Sequence, residues 1–325
     1  MRVAKFTNAS GKWAKVGAAV RHRHGNVVTS PTVVAGPGGK AWLAWIEGTA
    51  KSGGQVRVAR FSKGKWREVV GGKNPISEAY QLDSSQPRKR FTSATPALAF
   101  RSGRPYVAYI DVTIDSFPVV ARLSANGRRW QHVSKGLDIP VGVTQPKLAN
   151  AGGRLFLEYK YRTFNAPVFR RFDAGSSTWE QLAAVQESDS ALFGGMVGFG
   201  GRLHTLFSES PSGDTFVSKL GTDDKWTHVG LHLATDPTLV PQSIATDGGT
   251  LYAAYLQTVS EAKHLTVLFF DGTSWLTLPN PTPAGSTVDS AVLAGAAGGG
   301  VWLLAHEKPA GGKAKFQLEL FNSAE

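Results

Sequence analysis

A tryptophan that returns about every fifty residues limits what this chain can fold into more than any other feature. Trp13, Trp66, Trp130, Trp179, Trp226 and Trp275 are spaced 53, 64, 49, 47 and 49 residues apart, and each follows a short Gly-, Asn- or Asp-containing turn, as in "ARFSKGKW", "RLSANGRRW" and "LFFDGTSW". Between them a second pattern recurs: a short apolar strand, a Gly turn, and a strand rich in aromatics. Its copies run from "SPTVVAGPGGKAWLAWIE" through "TPALAFRSGRPYVAYID", "QPKLANAGGRLFLEYKY", "GGMVGFGGRLHTLFSE" and "QSIATDGGTLYAAYLQ" to "SAVLAGAAGGGVWLLAHE". Each unit therefore reads as four strands, A to D, joined by hairpin turns in which Gly, Asn and Asp accept the positive φ that strand twist demands. Helical periodicity is nearly absent. Four-stranded antiparallel units of this length, repeated radially, describe an all-β fold, a β-propeller.

The repeat predicts one propeller domain over residues 1–325 with six blades; a seventh, incomplete blade is the alternative, because "RVAKF" at the N-terminus reads as an extra C strand. The tryptophan expected after Trp275 falls where the chain stops. The simplest closure takes A, B and C of the last blade from the C-terminus and D from the strand at Trp13, a clasp that removes an open sheet edge. Each tryptophan opens a D strand and is expected to serve blade packing.

Composition narrows the class further. Apolar residues make up 42% of 325 and charged residues 18%, a globular balance. No run of about 18 apolar residues marks a membrane-spanning helix. No signal peptide is visible, so the chain reads either as cytosolic or as the mature form of an exported protein. Cys is absent, which excludes disulfides, thiolate metal sites and cysteine nucleophiles. The net charge of +12 suits an anionic partner such as nucleic acid, acidic polysaccharide or cell envelope. The basic residues are spread out, however, with compact clusters only at "RHRH" (21–24) and "PRKR" (87–90), and no groove-reading or single-strand-reading motif is present. Nucleic acid is therefore disfavoured.

The pattern "GxLYxAY…FDGTSW", best preserved from Gly249 to Trp275, resembles the propeller repeats of bacterial extracellular and cell-surface proteins over essentially the whole chain. The C–D turns also resemble the Asp-box hairpin of sialidases; "FDAGSSTW" (172–179) is one residue longer than that motif and "FDGTSW" one shorter. The Asp-box is a structural turn, so this resemblance implies a fold and not an activity. An Arg-Ile-Pro-like sialidase motif is missing.

In a propeller the B–C and D–A loops share one face, where ligand sites concentrate. Aligning the units places a polar column at the end of strand B: Glu47, Asp111, Tyr161, Glu209, Gln257 and Glu307. A mostly aromatic column lies two residues earlier, on the same side of the strand: Trp45, Tyr109, Tyr159, Phe207, Tyr255 and Ala305. The pair of columns reads either as acceptors beside aromatic platforms for sugar hydroxyls, or as blade packing with acids bonded locally. Blade three departs from the pattern with "EYKYRTFNAPVFRR", which gathers Glu158, Lys160, Tyr161, Arg162 and Phe164 near one loop. Arg162 there offers a bidentate fork for a carboxylate or an anionic sugar. An insertion with Tyr80, Arg88, Lys89 and Arg90 is expected on the same face.

No histidine spacing supplies a metal site, no local signature marks a Ser-His-Asp triad, and no cofactor-binding loop precedes a helix. Metal, cofactor and catalytic residues are thus all expected to be absent. The expectation is a non-catalytic, lectin-like binding module, secreted or at the cell surface, for a glycan or another extracellular partner. The binding residues are Tyr161, Arg162 and Phe164 with the polar column. A glycan-active hydrolase or lyase, or an interaction scaffold, are the alternatives.

Overall fold

The computed structural model describes residues 4–7, 12–15, 27–49, 53–69, 76, 96–111, 117–137, 142–161, 167–185, 191–279, 286–295, 300–308, 312 and 315–321. Among them every regular element is a strand, apart from a 3-10 turn at Pro37–Gly39. No helix among the described residues is long and apolar enough to cross a membrane.

Strands β1 (Ala4–Thr7) and β2 (Lys12–Lys15) pair with each other. Six further sheets follow in chain order, one per predicted repeat. The first contains β3 (Val27–Ala35), β4 (Ala41–Thr49), β5 (Gly53–Ser62) and β6 (Lys65–Glu68). The second contains β7 (Ala97–Arg101), β8 (Arg104–Asp111), β9 (Phe117–Leu123) and β10 (Trp130–His132). In the third are β11 (Val143–Ala151), β12 (Arg154–Tyr161), β13 (Pro167–Asp173) and β14 (Thr178–Gln181). The fourth has β15 (Ala191–Phe199), β16 (Arg202–Glu209), β17 (Asp214–Leu220) and β18 (Trp226–His228), and β19 (Ala234–Thr235) adds to β17. The fifth has β20 (Val240–Thr246), β21 (Leu251–Val259), β22 (Ala262–Phe270) and β23 (Trp275–Thr277). The sixth has three strands, β24 (Thr287–Gly295), β25 (Val301–Lys308) and β26 (Lys315–Phe321). The expected clasp is not among these pairings, because β2, which carries Trp13, pairs with β1 and not with β26.

The chain divides into two compact units, residues 1–148, 157–162 and 170–180, and residues 149–156, 163–169 and 181–325. In the first unit, the first and second sheets share a core that includes Trp42, Val58, Val107, Tyr109 and Leu123. In the second unit, Phe169, Phe193 and Phe207 anchor one cluster, while Tyr252, Val267, Leu293 and Leu303 anchor another between the fifth and sixth sheets. Burial of these faces follows from strand alternation, which sends every second side chain inward.

The recurring tryptophans do more than fill space. The indole Nε1 of Trp179 donates to the carbonyl of Val133 at 2.6 Å, that of Trp226 to Ala183 at 3.0 Å, and that of Trp275 to Val229 at 2.7 Å. Each acceptor lies just past the preceding tryptophan, so each bond fastens the outer hairpin of one sheet to the end of the sheet before it. Trp130 departs from the series: its buried Nε1 has no partner among the described residues. Its gap is the one lengthened by the insertion, whose Tyr80, Arg88, Lys89 and Arg90 lie outside the described residues.

Where inner strands of neighbouring sheets approach most closely, only glycine fits. A Cβ at Gly198 would stand 2.0 Å from the carbonyl oxygen of Asn150, and one at Gly295 would stand 1.9 Å from that of Thr246.

Candidate functional site in the third sheet

The turn carboxylates that resembled an Asp-box are engaged in their own hairpins. Asp271 accepts the backbone N–H groups of Thr273 and Ser274, both at 2.7 Å. Those bonds hold its carboxyl below the usual range. Asp173 is lowered in the same way, chiefly by the Ser176 hydroxyl and then by the Gly175 and Ser176 N–H groups. Both are Asx-type turns that set the hairpin and leave no carboxylate for chemistry.

The polar column lies at the strand ends where the repeat placed it. Glu47 is buried and accepts from Trp45 Nε1 at 3.3 Å. Gln257 donates to Asp236 at 2.8 Å, a bond that heads the causes lowering the Asp236 carboxyl. Glu307 is fully buried, whereas Asp111, Tyr161 and Glu209 are half-buried. Glu47 and Gln257 thus bond side chains near their own strand ends, the local role that repetition in every unit suggests. Arg162 and Phe164 lie outside the described residues.

The third sheet is where the pattern breaks in substance. Three residues before the polar column, the other five sheets carry Ala44, Ala108, Leu206, Ala254 and Leu304. The third carries Glu158, whose side chain is wholly buried. On the inner strand, the residues paired with that column elsewhere are Thr32, Ala97, Gly195, Ser243 and Val292. In the third sheet a lysine reaches the same spot: Lys147 Nζ is 4.0 Å from Glu158 Oε1. That distance makes an ion pair without a hydrogen bond, and neither carboxyl oxygen of Glu158 has a hydrogen-bond partner among the described residues. Lys160, two residues along and therefore on the same strand face, is held below the ordinary lysine range by burial, with Glu158 opposing the shift and Lys147 adding to it.

The other face of β12 is phenolic. Tyr159 is fully buried, accepts from Arg170 Nε at 3.1 Å, and meets Tyr161 edge-on with ring centroids 6.0 Å apart. Burial pushes the Tyr159 phenol up to about 12 against the opposing influence of Arg170. Strand β12 thus carries two chemistries on alternating residues: Glu158 and Lys160 toward Lys147, and Tyr159 and Tyr161 toward Arg170. Such a trio presents two partly exposed ammonium groups that can bind an anion, over a buried carboxyl that lacks a hydrogen-bond donor among the described residues. It is far costlier to leave empty than the apolar residues of the other sheets.

Lys147 is the member that the sequence reading missed. Its signal was present as a cation in an inner-strand column of small residues. It becomes visible only when the pairing partner of Glu158 is traced across the A–B turn.

No protein-family model and no curated protein matches the sequence. Solved structures do match in fold. A protein of unknown function from Dyadobacter fermentans DSM 18053 is 11% identical with a TM-score of 0.53, over 93% of this chain and 96% of that one. A prolyl endopeptidase is 12% identical with a TM-score of 0.58, over 97% of this chain and 46% of its own. A puromycin-hydrolyzing peptidase of Mycobacterium tuberculosis is 12% identical with a TM-score of 0.56, over 91% and 45%. The chain thus spans under half the length of each peptidase. At these identities the likeness concerns the fold, which is all-β and β-propeller-like.

Proposed function

We propose that this chain is a non-catalytic binding module, a six-bladed propeller working outside the cell or at its surface, that takes a glycan bearing a carboxylate at the third sheet. The observation that carries the reading is the Lys147–Glu158–Lys160 trio, set where the other sheets hold apolar or small residues. Glu158 would hold the two lysines in place from within the sheet, and their ammonium groups would meet the ligand's carboxylate. In the sequence Arg162 and Phe164 come two and four residues after Lys160, and a guanidinium fork and an aromatic ring are side-chain types suited to a carboxylate and a sugar face.

A binding role accounts for the charges better than a hydrolytic one. Glycoside hydrolysis needs two carboxyl groups facing one sugar, and the charges described beside Glu158 are lysines. The test is a glycan array probed with the wild type, Lys160→Met and Arg162→Ala. The expected result is binding of uronic- or sialic-acid glycans by the wild type, with loss in both variants. An unchanged profile in the variants, or no glycan bound by the wild type, refutes the proposal. Release of reducing ends from a bound glycan would replace it with the hydrolase reading.

A further inference from the structure

We propose a second ligand surface, independent of the third-sheet site: the outer hairpin of the first sheet is a docking surface for a linear acidic polysaccharide. The hairpin β5–β6 carries Arg60, Lys63, Lys65 and Arg67 within eight residues, all exposed and none in an ion pair among the described residues. Its acid, Glu68, is already committed to Arg57 at 2.7 Å.

The arrangement violates a rule of sheet stability. Arg60 and Arg67 are direct cross-strand partners. Like charges placed opposite each other destabilise a sheet. The third sheet shows a charge-balanced version of the same position. There Arg171, next to the hairpin aromatic, pairs with Glu180, next to the tryptophan, at 3.0 Å. Protection of an edge strand from aggregation needs charge but not charge of one sign, and an Arg–Glu pair supplies it equally well. Two arginines in that place are explained by a ligand that brings the negative charge.

The surface continues onto the second sheet within the same unit. In a meander of four strands, the A–B and C–D turns emerge at one end. That end is shared by the first two sheets, because Trp42 and Phe100, which flank their A–B turns, pack edge-on at 5.3 Å. The second sheet's turns there add Arg104, Arg128 and Arg129, again exposed.

The chemistry selects among polyanions. The aromatic rings of the hairpin pack inward: Phe61 and Trp66 lie 5.5 Å apart, and Trp66 covers the buried Leu43, Trp45 and Ala59. Both rings are half-buried against the sheet and each other, so neither stands out as a platform for stacking a base, which single-stranded nucleic acid binding relies on. Nor does the hairpin present an exposed large apolar side chain to enter a lipid surface. What remains is a row of charges suited to sulfates or carboxylates spaced along a flexible sugar chain.

The experiment titrates the full chain with dextran sulfate, neutral dextran, oligo(dT) and phosphatidylserine vesicles. Variants are Arg60→Gln/Arg67→Gln, Arg67→Glu and, as an outgroup, Lys160→Met. Dextran sulfate should bind with a log–log salt slope of about −3, and neutral dextran should not bind. The double variant should bind about 30-fold more weakly, on the scale of two cations leaving an anionic surface. Arg67→Glu decides the matter, because it rebuilds the ion pair of the third sheet. It should lose dextran sulfate binding while its denaturation midpoint stays level or rises. Retained binding in Arg67→Glu, or a wild type that ignores dextran sulfate, overturns the proposal. Tighter binding of oligo(dT) or vesicles at equal charge overturns the polysaccharide assignment. Lys160→Met should bind dextran sulfate normally, which separates this surface from the third-sheet site.

Discussion

Replacing Trp275 by Phe removes one hydrogen bond and little else, and Trp130 offers a natural control. Both rings are half-buried and pack against buried cores. Both substitutions trade an indole for a phenyl ring in the same place of the repeat. They differ in the ring nitrogen. Trp275 Nε1 donates to Val229 O at 2.7 Å, whereas the buried Trp130 Nε1 has no described partner. Loss of the Trp275 bond forfeits about 1 kcal/mol of net hydrogen-bond stability and leaves a carbonyl short of its donor, for a total of about 1–3 kcal/mol. In Trp130→Phe an unsatisfied donor disappears, so the polar part of the change is neutral or favourable. The packing losses are shared and cancel in the comparison. Urea denaturation followed by far-UV circular dichroism should place Trp275→Phe about 2 kcal/mol below Trp130→Phe at 25 °C. Equal losses would show that the indoles act by bulk alone and would refute the hydrogen-bonded fastening of one sheet to the next.

Glu158→Leu should lower stability by about 1–3 kcal/mol and weaken ligand binding, since it leaves the Lys147 and Lys160 ammonium groups facing each other without their counter-charge; an unchanged or higher urea midpoint counts against this. Burial lowers the His204 imidazole to about 4. The unfolded chain therefore takes up a proton near pH 6.5 that the folded chain refuses until about pH 4, and about 3 kcal/mol of stability is lost as pH falls through that window. His204→Gln should flatten that part of the stability curve, and an NMR titration of the His204 ring giving an ordinary value would contradict the argument. Gly295→Ala should cost about 3 kcal/mol by overpacking against Thr246, while Gly249→Ala, with Asp247 Oδ1 no closer than 3.7 Å, should cost under about 1 kcal/mol; thermal melts of the two would separate them.

The regular part of this fold is readable in sequence because its determinants are local. A Gly-Gly or Asp-Gly turn fixes a hairpin over a few residues, and alternation fixes which side is buried. The six sheets and their hairpins follow from "GGRLFLEYKY" and its copies for that reason. What escaped depends on register between strands or between sheets. The acceptor of Trp275 is a backbone carbonyl, and no residue type announces it. Lys147 looks like an ordinary surface lysine until its distance to Glu158 is known. The partner of β2 also escaped the repeat pattern, because the β1–β2 hairpin has no counterpart in the other copies. The polar column was legible in position, while the partners of its members, such as Trp45 for Glu47 and Asp236 for Gln257, were not.

The fastening of successive sheets also bears on how the chain reaches its native state. Trp179, Trp226 and Trp275 reach back 46, 43 and 46 residues. Between the fifth and sixth sheets, Ser243 Oγ accepts from Leu293 N, 50 residues on, and Asp247 Oδ2 from Gly300 N, 53 residues on. None of these links spans much more than one repeat. A nascent chain therefore needs only about fifty further residues, a few seconds of synthesis, to complete the bonds of the sheet it has just released. Contacts of such short range favour stepwise growth from the N-terminus over a search of the whole chain, and they keep each newly made edge waiting for the least possible time.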